Sequence, residues 1–191
     1  ELPALLDVYF GEGMKAMWRA DSAVQVDGKS IDVAKRMARQ QRDRRESVFL
    51  IPAQRVLALP EGWPKPFQSY RPGDPYSVRA FSEHLRMLME REFTGVGPLF
   101  PKSNRLKTEY RELLQQSVFA NFKLSVDRVQ SQKRLVLDAG AGNLPFMVWS
   151  AGQREFVPLL LGLYWLMPPS KVAKRGDVQW VIIEELEMGL H

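Results

Sequence analysis

Trp180-Val181-Ile182-Ile183-Glu184-Glu185 is an apolar run that ends in two adjacent acids. Aromatic and β-branched residues in a short run predict a strand, and consecutive residues of a strand point to opposite sides of the sheet, so the two carboxylates diverge. One can then face a metal ion and the other a water. A strand whose exposed end is simply charged would have the same composition. Divergence argues against a hydrolase built on the pair alone, because two carboxylates that flank one scissile bond must converge.

Upstream, Trp149-Ser150-Ala151-Gly152-Gln153-Arg154-Glu155 opens the apolar segment 156–167. Ser150 and Gln153 stand in the S-x-x-Q spacing of a capping box, which predicts a helix start. Such a start presents free backbone N–H groups and the positive end of the helix dipole, and Ala151 and Gly152 leave the approach open to a phosphate. A purely structural cap would read the same way.

Outward from these two stretches the chain alternates strands and helices. Ser47 to Ile51 is a compact apolar run closed by Pro52, which predicts a buried strand emptying into a loop. Asp27-Gly28 after Val24-Gln25-Val26 predicts a tight hairpin turn. Residues 5–17 are weakly helical, and Val33, Ala34, Met37 and Ala38 make a helical stripe behind Ser30 as N-cap. Residues 60–75, rich in proline, glycine and aromatics, read as an ordered irregular loop. Asp74-Pro75 announces a helix, with Asp74 capping it and Pro75 in its first position, and Val78, Phe81, Leu85, Leu88, Met89 and Phe93 keep helical spacing. A second helix is expected at about 105–119, with Leu106, Tyr110, Leu113, Leu114 and Val118 on one face. Phe122, Leu124 and Val126 alternate with polar residues, and Leu135 to Leu137 follows as the second arm of a hairpin.

Composition narrows the function classes. In 191 residues, 45 % hydrophobic and 26 % charged, there is enough apolar material for one domain with a core. The chain has no cysteine, which excludes disulfides and thiolate metal sites, and His84 and His191 are too few and too far apart in sequence to form a metal cluster by themselves. Residues 1–10 lack the features of a secretory signal, and the run 156–167 is shorter than the roughly 20 residues that cross a bilayer, so a soluble, cytoplasmic protein without membrane insertion is expected. The net charge of +5 suits a polyanion partner, and it is densest at 35–45, where Lys35, Arg36, Arg39, Arg42, Arg44 and Arg45 face only Asp43. That segment is either a nucleic-acid contact or a solvated helix face with a charged loop.

Taken together, Ser150-Ala151-Gly152-Gln153 resembles the signature sequence of ABC-type ATPases, and residues 181–191, Val-Ile-Ile-Glu-Glu-Leu-Glu-Met-Gly-Leu-His, resemble the Walker B region of their SMC-like and OLD-like branch. In that branch the region typically reads apolar strand, Asp-Glu-Pro-Glu, then Leu-His-Pro. Phe49-Leu50-Ile51-Pro52-Ala53-Gln54-Arg55 resembles the strand and Pro-Ala-x-Arg turn of the same branch. The resemblance implies an α/β fold, a partial P-loop NTPase (ABC-ATPase-like) sheet with a helical insertion at about 74–120 and the signature and Walker B region at about 122–191. It implies ATP and Mg²⁺ as the cofactors, Glu184 as the Mg²⁺-side acid and Glu185 as the catalytic base. It further implies that Ser150, Gly152 and Gln153 contact the γ-phosphate of nucleotide held by a partner subunit, with Gln54 as counterpart of the glutamine that senses metal and water.

The departures are as informative. Glu184 stands where the family has Asp, which lengthens the metal ligand by one methylene, and Leu186 replaces the proline of the following turn. No G-x-x-x-x-G-K-[ST] occurs, and Gly11-Glu12-Gly13-Met14-Lys15 has neither its spacing nor its Ser/Thr. The expectation is therefore one truncated ATPase-like domain that begins after the P-loop, is inactive alone, and forms a homo-oligomer through its exposed sheet. A non-catalytic nucleic-acid or protein-interaction module using residues 35–45 is the alternative.

Overall fold

The computed structural model describes residues 14–17, 19, 21–32, 48–71, 73–102, 104–167 and 178–188. The helical stripe at 33–38, the basic segment 35–45, most of the weak helix at 5–17, and His191 lie outside the described residues. Met14–Met17 forms a single helical turn.

The described residues form a mixed α/β fold with three helices, a two-stranded parallel sheet, a four-stranded antiparallel sheet and a small hairpin. The hairpin pairs β1 (Val24–Val26) with β2 (Lys29–Ile31), and Asp27 and Gly28 supply the turn at φ 51° and 72°. Positive φ at both central residues is what a two-residue turn needs to match strand twist.

The parallel sheet joins β3 (Val48–Ile51) to β8 (Trp180–Ile183), with Val48 opposite Trp180 and Ile51 opposite Ile183. Helices α1 (Tyr76–Glu92) and α3 (Ala151–Leu166) pack on each other, and α1 also packs against β3. Phe49 sits edge-on to Phe81 at 6.1 Å between ring centroids, and His84 lies between Phe49 and Trp165 at 5.2 Å from each. Helix α3 passes close over this layer because residue 162 is glycine. A Cβ there would sit 3.0 Å from Phe81 and 3.1 Å from the Ile51 side chain. Pro158 lies inside α3, where it removes one backbone donor.

The antiparallel sheet is a meander of β4 (Gly97–Phe100), β5 (Lys123–Val129), β6 (Gln132–Asp138) and β7 (Asn143–Pro145). Leu124 and Val126 alternate inward on β5, as their spacing predicts, and join Leu99, Phe100, Leu135, Leu137, Phe119 and Phe146 in the core. The hairpin expected from 122 to 137 is present, but β4 and β7 extend it into a sheet separate from the parallel pair, and neither strand was legible as one. β4 contains Pro98 and begins with a glycine, both poor strand formers.

Three local expectations are corrected, the first being Ser30, expected as a helix N-cap, which is the middle residue of β2 and pairs with Gln25. Pro75, not Asp74, occupies the N-cap of α1, and no side chain caps it. The Asp74 carboxylate instead accepts the Arg71 amide at 2.8 Å, closing the preceding turn. The second helix, α2 (Thr108–Ser117), is shorter than expected, and Tyr110 and Leu113 are exposed. Leu106, Leu114 and Val118 are the residues of that face that meet the core. Among its described residues the segment 60–75 is irregular as predicted, apart from 3₁₀ turns at Pro60–Gly62 and Phe67–Ser69. Ser82, buried on α1, anchors it by accepting the Lys65 amide at 3.0 Å and donating to Ala58 O at 2.9 Å. Among the described residues no helix is long and apolar enough to cross a membrane.

Candidate functional site

Because β3 and β8 run parallel and in register, their carboxyl ends lie side by side, the edge of an α/β sheet where ligands usually bind. The chain leaves β3 through Pro52, Ala53 and Gln54 into the 3₁₀ turn Arg55–Ala58, and leaves β8 through Glu184 and Glu185. Parallel pairing thus brings Gln54, Glu184 and Glu185 to one edge from positions about 130 residues apart in sequence. The Glu184 amide donates to Ile51 O at 3.0 Å, continuing the ladder one residue beyond the strand. The Ala53 amide donates to Glu184 Oε2 at 3.0 Å. Glu184, Glu185 and Gln54 are all exposed.

Glu185 is in the left-handed region, at φ 44°, a conformation that costs a non-glycine residue energy. The turn that follows is closed by the Met188 amide donating to Glu185 O at 3.1 Å. Leu186, standing where the resembled family has proline, is exposed within this turn.

The helix start is built as the capping box predicts. The Gln153 amide donates to Ser150 Oγ at 3.2 Å, and the Ser150 amide donates to Gln153 Oε1 at 3.1 Å. Gln153 Nε2 also donates to Val118 O at 3.1 Å, so its side chain pins α3 to the end of α2. Gly152 is half-buried in the first turn. Among the described residues no hydrogen bond joins Ser150, Gly152 or Gln153 to Glu184 or Glu185.

The link between the two ends runs through Arg55, a residue to which the sequence assigns no role. Its side chain is 1 % exposed. Nε donates to Glu155 O at 3.1 Å on α3, and the two terminal nitrogens donate to the carbonyls of Glu184, Glu185 and Met188. The Glu155 carboxylate lies 3.6 Å from Nε. Burial raises the carboxyl pKa of Glu155 above its ordinary value, against the pull of Arg55 and Arg154. The hints in the sequence are its place in the Pro-Ala-x-Arg-like turn and the apolar run Val56-Leu57-Ala58-Leu59 that follows at once.

Magnesium typically takes one or two carboxylates and completes its shell with water and phosphate oxygens, so the exposed Glu184 carboxylate, whose Oε2 accepts the Ala53 amide, keeps Oε1 as a donor of the preferred type. Among the described residues no group of three or more His, Asp or Glu side chains could hold a metal ion alone. Comparison with protein-family models, curated proteins and solved structures finds no match to this chain.

Proposed function

We propose that this chain carries the signature-like and acidic parts of an ABC-type ATP-hydrolysing module that dimerises around nucleotide. The triphosphate grip would be supplied by a P-loop outside these 191 residues, without which the chain does not turn over ATP. The observation that carries this proposal is the parallel pairing of β3 with β8, which sets Gln54, Glu184 and Glu185 at one carboxyl edge and leaves the capped start of α3 joined to that edge through Arg55.

In this role Glu184 would hold Mg²⁺, which would neutralise charge developing on the phosphates. Glu185 accepts a proton from the attacking water as its oxygen bonds to the γ-phosphorus and the bond to the bridging oxygen breaks, releasing ADP and phosphate. Ser150, Gly152 and Gln153 offer a helix N-terminus to the γ-phosphate of the opposite subunit. The Ser150 and Gln153 side chains already complete the cap and take the Gln153 N–H, so the groups left for the phosphate are the Ala151 and Gly152 N–H groups and the remaining hydroxyl capacity of Ser150.

Association is favoured by the exposed parallel sheet. Trp180 is 68 % exposed and Val181 and Ile182 about half, although parallel strands are usually covered on both faces. Covering the part of these three side chains that is still exposed would contribute on the order of 1 kcal/mol each. A homo-oligomer follows from this proposal, and nucleic acid remains a client compatible with it.

The test is ATP hydrolysis by a protein that joins a P-loop to this chain, comparing the natural sequence with Glu185→Gln. Loss of turnover with ATP binding retained supports the proposal. Unchanged turnover removes Glu185 as base and favours a non-catalytic interaction module, whose nucleic-acid affinity would fall steeply with salt.

A further inference from the structure

Arg55 is the largest fully buried polar side chain among the described residues. A guanidinium offers five N–H donors, and burying it is costly unless each is satisfied. The geometry accounts for all five: Nε bonds to Glu155 O, Nη1 to Glu184 O and Glu185 O, and Nη2 to Glu185 O and Met188 O. Four of these bonds end on carbonyls of the turn after β8. An arginine present only to neutralise Glu155 would place its fork on that carboxylate. Here the carboxylate is 3.6 Å from Nε alone, and the fork faces the turn.

The gripped turn is the strained one. Glu185, with φ 44°, receives two of the five bonds at its carbonyl, so the left-handed conformation is held from outside the turn. The same guanidinium reaches Glu155, five residues after the Ser150 cap. One rigid planar group therefore spans the acidic turn and the start of α3.

We propose that Arg55 is a positioning residue that fixes the direction of Glu185 and couples it to the first turns of α3. A displacement of Ser150, Gly152 and Gln153 would then be felt at the acid. The effect on turnover rests on the nucleotide function proposed above, whereas the mechanical link does not.

The link is tested on the 191-residue chain by amide hydrogen exchange. Arg55→Lys keeps the charge but gathers three donors on one nitrogen, which cannot span four carbonyls. Exchange at the hydrogen-bonded amides of Glu184 and Met188 is expected to rise on the order of tenfold, with the β5–β6 hairpin unchanged. No rise at 184–188, or an equal rise in the hairpin, would overturn the proposal. Ser150→Ala, a milder change, provides a second reading if Arg55→Lys does not fold. It should speed exchange at 184–188 as well as at 151–155, and a rise confined to 151–155 would overturn the coupling.

Turnover is tested on a protein that joins a P-loop to this chain. Arg55→Lys should lower kcat on the order of 10- to 100-fold, as misplacement of a catalytic group does, with KM for ATP within about twofold. An unchanged kcat overturns the positioning role wherever Glu185→Gln abolishes turnover. If Glu185→Gln is also without effect, the nucleotide function has failed, and the exchange measurements alone decide the link.

Discussion

The Ala53 amide donates to Glu184 Oε2 at 3.0 Å while the Glu184 amide donates to Ile51 O at 3.0 Å, so Glu184 is held to the end of β3 by both its backbone and its side chain. The acid assigned to the metal is thus also the residue that closes the parallel pair, with one of its carboxylate oxygens already accepting a hydrogen bond.

Glu184→Ala should therefore destabilise the chain by about 0.5–1.5 kcal/mol, the usual net worth of a hydrogen bond, even in the absence of nucleotide. Glu184→Gln keeps an acceptor at that position and should cost less. Urea unfolding of the two variants separates them, and equal stability of Glu184→Ala and the natural chain would show that the bond does not form in solution.

Gly62 and Gly162 are both closely approached but should respond differently to alanine. Gly62 has φ 80°, and a Cβ there would sit 2.7 Å from Phe146 Cβ, so strain and overlap add. Gly62→Ala should cost about 2–5 kcal/mol by summing a left-handed penalty with overpacking. Gly162 is helical, and alanine gains up to about 1 kcal/mol of helix propensity against contacts of 3.0–3.2 Å with Phe81 and Ile51. Gly162→Ala should cost less than Gly62→Ala, which thermal unfolding of the pair would check.

Glu83 supplies a pH dependence with a definite sign. Its carboxylate accepts Arg86 Nη2 at 2.6 Å and Nε at 3.1 Å, and the Phe67 amide at 3.0 Å. The Arg86 hydrogen bonds above all hold its pKa below the ordinary 4.5. A folded pKa below the unfolded one means that the contribution is complete above about 4.5 and is lost as pH falls through the lower folded value. Glu83→Gln should flatten the acid limb of stability there, measured by urea midpoints over a pH series, and should not change the slope at neutral pH.

The β5–β6 turn should be improvable. Gln130 and Ser131 both hold positive φ, 47° and 69°, in a two-residue loop where Asn-Gly is the preferred pair. Gln130→Asn with Ser131→Gly should raise stability by about 0.5–1 kcal/mol, because the native turn strains two side-chain-bearing residues. A lower melting temperature for the double variant would contradict this account of the turn.

The sequence by itself determined the elements whose signals are local. Asp27-Gly28 marks its hairpin, Ser150 with Gln153 its capped helix, and the alternation at 122–126 its strand, because the turn, the cap and the pleat depend on residues a few positions apart. It also brought the candidate acids, the signature-like loop and Gln54 into view as motifs. Only the tertiary structure decided how these are joined. The inward face of α2 was misread at Tyr110 and Leu113 because spacing predicts a stripe but not how wide a surface is available to cover it. Asp74 was misread because it had two partners in reach and the Arg71 turn won. Arg55 was invisible as a link because its value comes from four carbonyls and a carboxylate brought in from 100 to 133 positions away. A buried charge is tolerable only where distant backbone assembles around it, and no local pattern records that assembly.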